Sequence, residues 1–407
     1  MSSPASSDFP SPTRLAWLVV ALLVPVALLN YLDRQMLAAM KASMVGDLAD
    51  VESREHWGIV LASFKWVYAL LSPIGGYVAD RFSRKHVIIA SLFVWSAVTW
   101  LTGQVDSFAE LVAARAIMGV SEAFYIPTAL ALITDFHRGG TRSTAVGLHQ
   151  MGIYAGIIIG GFSGYVADSP TLGWRWAFEA CGLAGIVYAV PLALLLRNPP
   201  PSGDEAVRES PLAASRELFG NVNFLLIVLY FTLPAMAGWV VKDWMPDILR
   251  EKFALGQGQA GVSAVVYVQF ASLVGVGLGG WLADRWMRRT IRGRIYVSAV
   301  GMTLFLPSLF GVGDAGSLAV AIGFLIVFGL GWGFFDCNNM PILCQIARPE
   351  YRATGYGFMN MVSIAAGGGV TVALGRMRAH GIPFGGAFAL FAGVALLSAA
   401  LILLVKP

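Results

Sequence analysis

Charge is scarce in this sequence. Only 13% of its 407 residues are Asp, Glu, Lys or Arg, against 57% hydrophobic ones, and the mean hydropathy is +0.69. A soluble globular domain carries about 25% charged residues, so the composition excludes that class. Cysteine is nearly absent too: Cys181, Cys337 and Cys344 all fall in apolar stretches. That argues against a disulfide framework, and no Cys or His spacing suits a metal ion. The opening MSSPASSDFPSPT lacks a basic n-region and a cleavage site, which predicts a short polar tail rather than a signal peptide. A net charge of +4 is too small to point to nucleic acid.

What the chain has instead is long apolar runs. A membrane span needs about 20 mostly apolar residues. Hydropathy and breakers predict an all-α membrane protein with twelve spans, near 15–38, 56–79, 86–104, 108–133, 143–166, 174–196, 222–245, 260–283, 294–312, 317–345, 353–375 and 384–405. The longest polar interruption, 197–221, predicts a linker with a short interfacial helix near 212–219. The organisation expected is a tail over 1–14, a six-helix bundle over 15–196, the linker, and a second bundle over 222–407. Arg81, Arg84, Lys85, Arg138, Arg142, Arg285, Arg288, Arg289, Arg348 and Arg352 gather in loops on one side. The positive-inside rule makes that side cytoplasmic, with both termini there.

The halves repeat. GGYVADRFSRK (75–85) returns as GGWLADRWMRR (279–289), and RSTAVG (142–147) as RATGYG (352–357). Glu122 precedes Pro127 by five residues, and Asp336 precedes Pro341 by five. Matches in register across half a chain mark a tandem duplication. On these motifs the sequence resembles the major facilitator superfamily over essentially its whole length. The resemblance implies two pseudo-symmetric six-helix bundles with substrate near the midplane between them. It also implies that Gly76, Asp80, Arg81, Arg84, Asp135 and Arg142, with Asp284 and Arg285 in the repeat, form a gating latch on the cytoplasmic side.

Ionisable residues deep in spans are costly, about 2.5–3.5 kcal/mol each on insertion scales, and are functional candidates by default. Asp33 and Arg34 lie in the first span, Lys65 in the second, Arg115 and Glu122 in the fourth, Lys242 and Asp243 toward an outer end, and Asp336 in the tenth. Arg115 and Glu122 are seven residues apart, two turns on one helical face. With the first and fourth spans as neighbours, Asp33, Arg34, Arg115 and Glu122 make one cluster. Arg holds a carboxylate bidentately. Low dielectric favours a protonated carboxyl and a nearby Arg the ionised one, so a changing Arg contact would load and release a proton. A plain Asp33–Arg115 ion pair is the structural alternative. Asp336 is read either as a further proton site or as a core hydrogen-bonding group, and His149 as a satisfied membrane histidine.

NYLDRQ (30–35) with RAIMGVSEAFYIP (115–127) is similar to the anion:cation symporter branch of the superfamily. Residue by residue, that implies Asp33 and Glu122 as proton sites and Arg34 and Arg115 as their partners or substrate anchors. Asn360 matches an asparagine that faces substrate in that branch. Lys65 stands where the branch usually has no charge, and the fifth span, GLHQMGIYAGIIIGG, lacks the sugar-acid carriers' pattern. Tyr31, Gln150, Tyr154 and Asn338 complete the expected substrate contacts, and Lys65 is read as a further substrate contact or as an ion-pair partner. The spinster-like lipid transporters share the same Asp-Arg…Arg…Glu arrangement. The expectation is therefore a proton-coupled symporter of a small organic anion, such as a sugar acid or other monocarboxylate. It would be a monomer in a bacterial inner membrane, with the proton gradient in place of any cofactor. A proton-coupled exporter of lysolipids or other amphipathic compounds is the alternative. No nucleophile–base pair or phosphate loop points to an enzyme.

Overall fold

The computed structural model describes residues 14–48, 54–137, 142–198, 211–348, 351–381 and 384–406. Every regular element among them is a helix. The first half holds α1 (Arg14–Ala39), α2 (Lys41–Asp47), α3 (Arg54–Arg81), α4 (Arg84–Thr102), α5 (Phe108–Glu122), α6 (Tyr125–Phe136), α7 (Arg142–Gly161), α8 (Ser163–Ala167) and α9 (Gly173–Leu195). After α10 (Pro211–Gly220) come α11 (Val222–Phe253), α12 (Gln257–Met287), α13 (Gly293–Thr303), α14 (Phe305–Asp314), α15 (Leu318–Asp336), α16 (Asn339–Ile346), α17 (Arg352–Ala379) and α18 (Phe384–Leu404). Among the described residues, eleven segments are long and apolar enough to cross a membrane, and the apolar Phe388–Leu404 is shorter. They fall where the twelve spans are predicted. The main difference is α11, which runs on to Phe253 instead of stopping near 245 and so carries Asp247 in the same helix as Asp243.

Small residues set the helix spacing. Gly152, Gly156 and Gly160 lie four apart on α7, and a Cβ on any of them would strike the carbonyl oxygen of Val24, Leu28 or Leu32, also four apart on α1. The two backbones therefore touch along a single stripe, as small residues permit in membranes. The fifth-span glycines are thus packing residues. They hold α1 rigidly while its other faces carry Asn30, Asp33 and Arg34.

Two helix breaks mirror one another. α5 ends at Glu122 and α15 at Asp336, each five residues before a proline. Pro127 and Pro341 have no N–H for the carbonyls of Ala123 and Cys337, and their rings crowd those carbonyls, so each helix is interrupted there. Gly75 of the first signature loop packs against the Ala123 carbonyl, where a Cβ would lie 2.5 Å away, and its repeat Gly279 packs against Phe334 and Cys337.

Contacts between the halves gather at the end opposite the signature loops. There α3 packs along α17, with Gly58 against the Thr371 carbonyl and Trp66 Nε1 donating to Ala365 O at 3.2 Å. Arg376 pairs with Glu55 at 2.7 Å, and Gln257 donates to Asp168 at 2.8 Å and to Ser43 at 2.6 Å. No such bridge is seen among the described residues at the signature-loop end. Among the described residues, the halves are bridged at one end only.

Candidate functional site

The site sits where the closed end meets the interior, and α1 supplies its first two groups. Arg34 reaches α5 with Nε and Nη2, both 2.5 Å from Glu122 Oε2, and Nη2 also donates to Asn30 Oδ1 at 3.1 Å. Its guanidinium is surrounded by the rings of Tyr31, Phe64 and Tyr68, 4.6, 4.7 and 5.1 Å away. Glu122 is fully buried, and its Oε1 has no partner.

Asp33, beside Arg34 in sequence, points elsewhere. It is 1% exposed, and among the described residues its single hydrogen-bonding contact is Thr99 Oγ1 of α4 at 3.1 Å. That hydroxyl is also 2.9 Å from the Trp95 carbonyl, and Asp33 Oδ1 is left without a partner. Arg115, only 3% exposed, makes no ion pair with it. Its Nη1 donates to Met118 Sδ at 2.8 Å, its guanidinium lies 4.7 Å from the Phe64 ring, and Nε has no partner. The structural alternative, a plain Asp33–Arg115 ion pair, does not form. The carboxylate that takes an arginine is Glu122, and the arginine is Arg34. The reason is reach: Arg34 spans directly from α1 to α5, whereas Arg115 turns toward Phe64 on α3.

Lys65 is the third group, and it ties the halves together. Its ammonium forms a buried ion pair with Asp243 of α11, donates to Thr371 Oγ1 of α17 at 2.8 Å, and lies 4.7 Å from the Trp239 ring. Thr371 Oγ1 is 3.0 Å from Asp243. One turn along α11, Asp247 pairs with Lys41 of α2, again in buried surroundings. Two acids four residues apart on one helix thus grip two lysines of the other half. Their i, i+4 spacing amid apolar residues was the available signal for this role. Thr99 gave none, because a lone threonine in a span ordinarily bonds its own helix.

Between the halves lies a cavity of about 20 Å³, room for about one or two water-sized groups. Its charged lining is Arg34, Lys65, Arg115, Lys242 and Asp243, with Phe64 and Trp239 as aromatic walls. Lys242 lies 4.9 Å from the Tyr31 ring and 5.3 Å from Trp239.

Other expected contacts sit apart from it. Gln150 is exposed and Tyr154 half-buried on α7, and Asn360 is half-buried on α17. Asn338 is buried, but its amide donates to the Phe334 carbonyl at 2.9 Å. That carbonyl needs it, because the Asn338 N–H bonds Phe335 instead at the helix break. Asp336 is joined by Asn339 at 3.5 Å, which in turn accepts from Tyr230 at 2.9 Å. His149 is buried, with Nε2 2.9 Å from the Tyr125 hydroxyl.

At the signature loops, Arg84 pairs with Asp135 inside the first half, and Asp284 and Arg285 are exposed. Gly76 and the side chains of Asp80, Arg81 and Arg142 lie outside the described residues.

Two helical bundles joined at one end, with a charged cavity between them, define a membrane carrier. The Major Facilitator Superfamily profile matches residues 23–371, and the chain belongs to that superfamily. It is a multi-pass membrane transporter. Among similar proteins, Protein spinster of Drosophila melanogaster is 27% identical over 387 residues, covering 90% of this chain and 62% of its own length. Human Protein spinster homolog 1 is 28% identical over 386 residues, covering 87% and 71%. This chain therefore spans about two thirds of the length of those relatives. Two solved structures share the fold. A bacterial homolog of the human lysosomal transporter spinster, inward-facing and unoccupied, superposes with TM-score 0.78 at 20% identity, covering 97% of this chain and 96% of that one. A D-xylose–proton symporter does so with TM-score 0.77 at 16% identity, covering 96% and 98%.

Proposed function

We propose that this protein is a proton-coupled symporter of a small organic anion, such as a sugar acid or other monocarboxylate, working by alternating access as a monomer in a bacterial inner membrane. The observation that carries the reading is Asp33: a buried carboxyl with no basic partner, beside a buried Arg34–Glu122 pair. A protonated Asp33 would donate a hydrogen bond to Thr99 Oγ1, whose own hydroxyl would then donate one to the Trp95 carbonyl. An ionised Asp33 would need Arg34 or Arg115 to turn toward it. Proton release is then tied to a rearrangement of arginines that also contact cargo. With the basic loops in the cytoplasm, the open end faces inward. Lys65–Asp243 and Lys41–Asp247 then form the outer lock, and Arg84 and Asp135 belong to the inner gate, with Asp80, Arg81 and Arg142 as further members.

Similarity to spinster proteins favours a second reading, in which the anion is carried on a lysolipid or other amphipathic compound and exported. Uptake into proteoliposomes tests both, using a panel of sugar acids, monocarboxylates and lysolipids with and without an inward proton gradient. Accumulation of a sugar acid or monocarboxylate that collapses without the gradient is the expected result. Uptake indifferent to the gradient for every compound overturns proton coupling.

A further inference from the structure

The cavity between the halves holds more positive charge than its own carboxylates neutralise. Arg34 is answered by Glu122 and Lys65 by Asp243. Arg115 and Lys242 line the same space, and among the described residues neither has a carboxylate within 4.0 Å. They come from opposite halves, α5 and α11. Arg115 is 3% exposed, and its one hydrogen bond goes to a thioether, a weak acceptor. Lys242 is half-buried, its ammonium 4.9 Å from the Tyr31 ring and 5.3 Å from the Trp239 ring. A buried cation without an anion is strongly unfavourable, and Arg115 is one; with the half-buried Lys242 lining the same cavity, the two mark a place where an anion belongs.

We infer that Arg115 and Lys242 form a two-part oxyanion site that clamps the anionic head group of the cargo across the two halves. The inference rests on the proposed transport of an organic anion and names the group that is recognised. The space beside the pair has room for about one or two water-sized groups, the size of the oxygens that an anionic head group presents. The aromatic walls fit the carbon skeleton that follows it. Lys242 brings what the first-half arginines lack, a cation on the second half, so an anion bound here favours states in which the halves are drawn together. The charges also explain coupling. Asp33, Glu122 and Asp243 against four cations leave one positive charge in excess, and a proton on Asp33 leaves two. Anion and proton therefore strengthen each other's binding, reciprocally.

The test uses the full chain in detergent and reads the rise in melting temperature with D-gluconate, glycerol 3-phosphate or oleoyl lysophosphatidate, a rise that reports affinity. At least one should stabilise the wild type. Gluconate or glycerol 3-phosphate would mark a free solute, and lysophosphatidate alone a lipid. For that ligand Lys242→Gln and Arg115→Gln should weaken apparent affinity by about tenfold or more, while Lys242→Arg keeps it, as charge-assisted hydrogen bonds require. Affinity should rise as pH falls in the wild type and lose that dependence in Asp33→Asn. Unchanged affinity in Lys242→Gln, or no stabilisation by any of the three, overturns the site. If a ligand binds through Lys242 but its uptake ignores the proton gradient, the symport reading fails and the site stands. If gradient-driven uptake of an anion keeps its KM in Lys242→Gln, the site fails and symport stands.

Discussion

Side chain by side chain, the two buried acids of the first half differ in what they would leave behind. Glu122 neutralises Arg34, whereas Asp33 hydrogen-bonds, among the described residues, only a threonine hydroxyl. Removing one partner of a buried pair costs about 3–5 kcal/mol, because the other charge is stranded. Glu122→Gln should therefore lower the melting temperature in detergent clearly, while Asp33→Asn, a neutral isostere beside Thr99, should leave it nearly unchanged. Equal destabilisation by both would sink the assignment of Asp33 as the group without a partner. In transport, Asp33→Asn should lose proton-driven accumulation by an order of magnitude or more and still exchange substrate across the membrane, as counterflow would show. The four charges were legible in the sequence because each is conspicuous in an apolar run. Which acid meets which arginine was not, since adjacent residues on α1 point about 100° apart and their reach is decided by the neighbouring helices.

For whole helices, the α1–α7 stripe and the paired helix breaks govern how accurately those charges are held. Gly156 meets the Leu28 carbonyl, so Gly156→Val has backbone on both sides and nothing flexible to yield. Overpacking of a tight core costs about 1–3 kcal/mol. The variant should show reduced folded yield by size-exclusion chromatography and a lower melting temperature. Gly147→Ala on the same helix meets nothing within 4 Å and should be neutral or stabilising by about 1 kcal/mol, the helix-propensity gain. If the two variants behaved alike, the stripe would not be what spaces the helices. The prolines that interrupt α5 and α15 were visible from the sequence as a repeated acid-x4-Pro spacing. The filling of the vacated Phe334 carbonyl by Asn338 was not, because it depends on a side-chain rotamer at the break.

For the molecule as a whole, closure at one end rests on bridges between halves. Two buried lysine–aspartate pairs on one face of α11 are among them. Asp243→Asn with Asp247→Asn should loosen that end and shift the population toward the opposite opening. A cysteine pair at Ser43 and Gln257, whose polar groups meet at 2.6 Å, reports this directly, with Cys181, Cys337 and Cys344 replaced by serine. Oxidation should cross-link the parent and block transport until reduced, and cross-linking should fall in the double asparagine variant. Undiminished cross-linking would show that the two ion pairs do not hold the end shut.

The sequence by itself determined the membrane setting, the succession of spans, the duplication and the roster of buried charges. Those follow from composition, hydropathy and short-range spacing, which the chain carries locally. Tertiary structure alone decided that Arg34 rather than Arg115 takes a carboxylate, that Lys65 locks the halves, and that Arg115 and Lys242 face one cavity. Each of these joins helices far apart in the chain, and helix rotation about its own axis, fixed only by packing, decides where a long charged side chain ends.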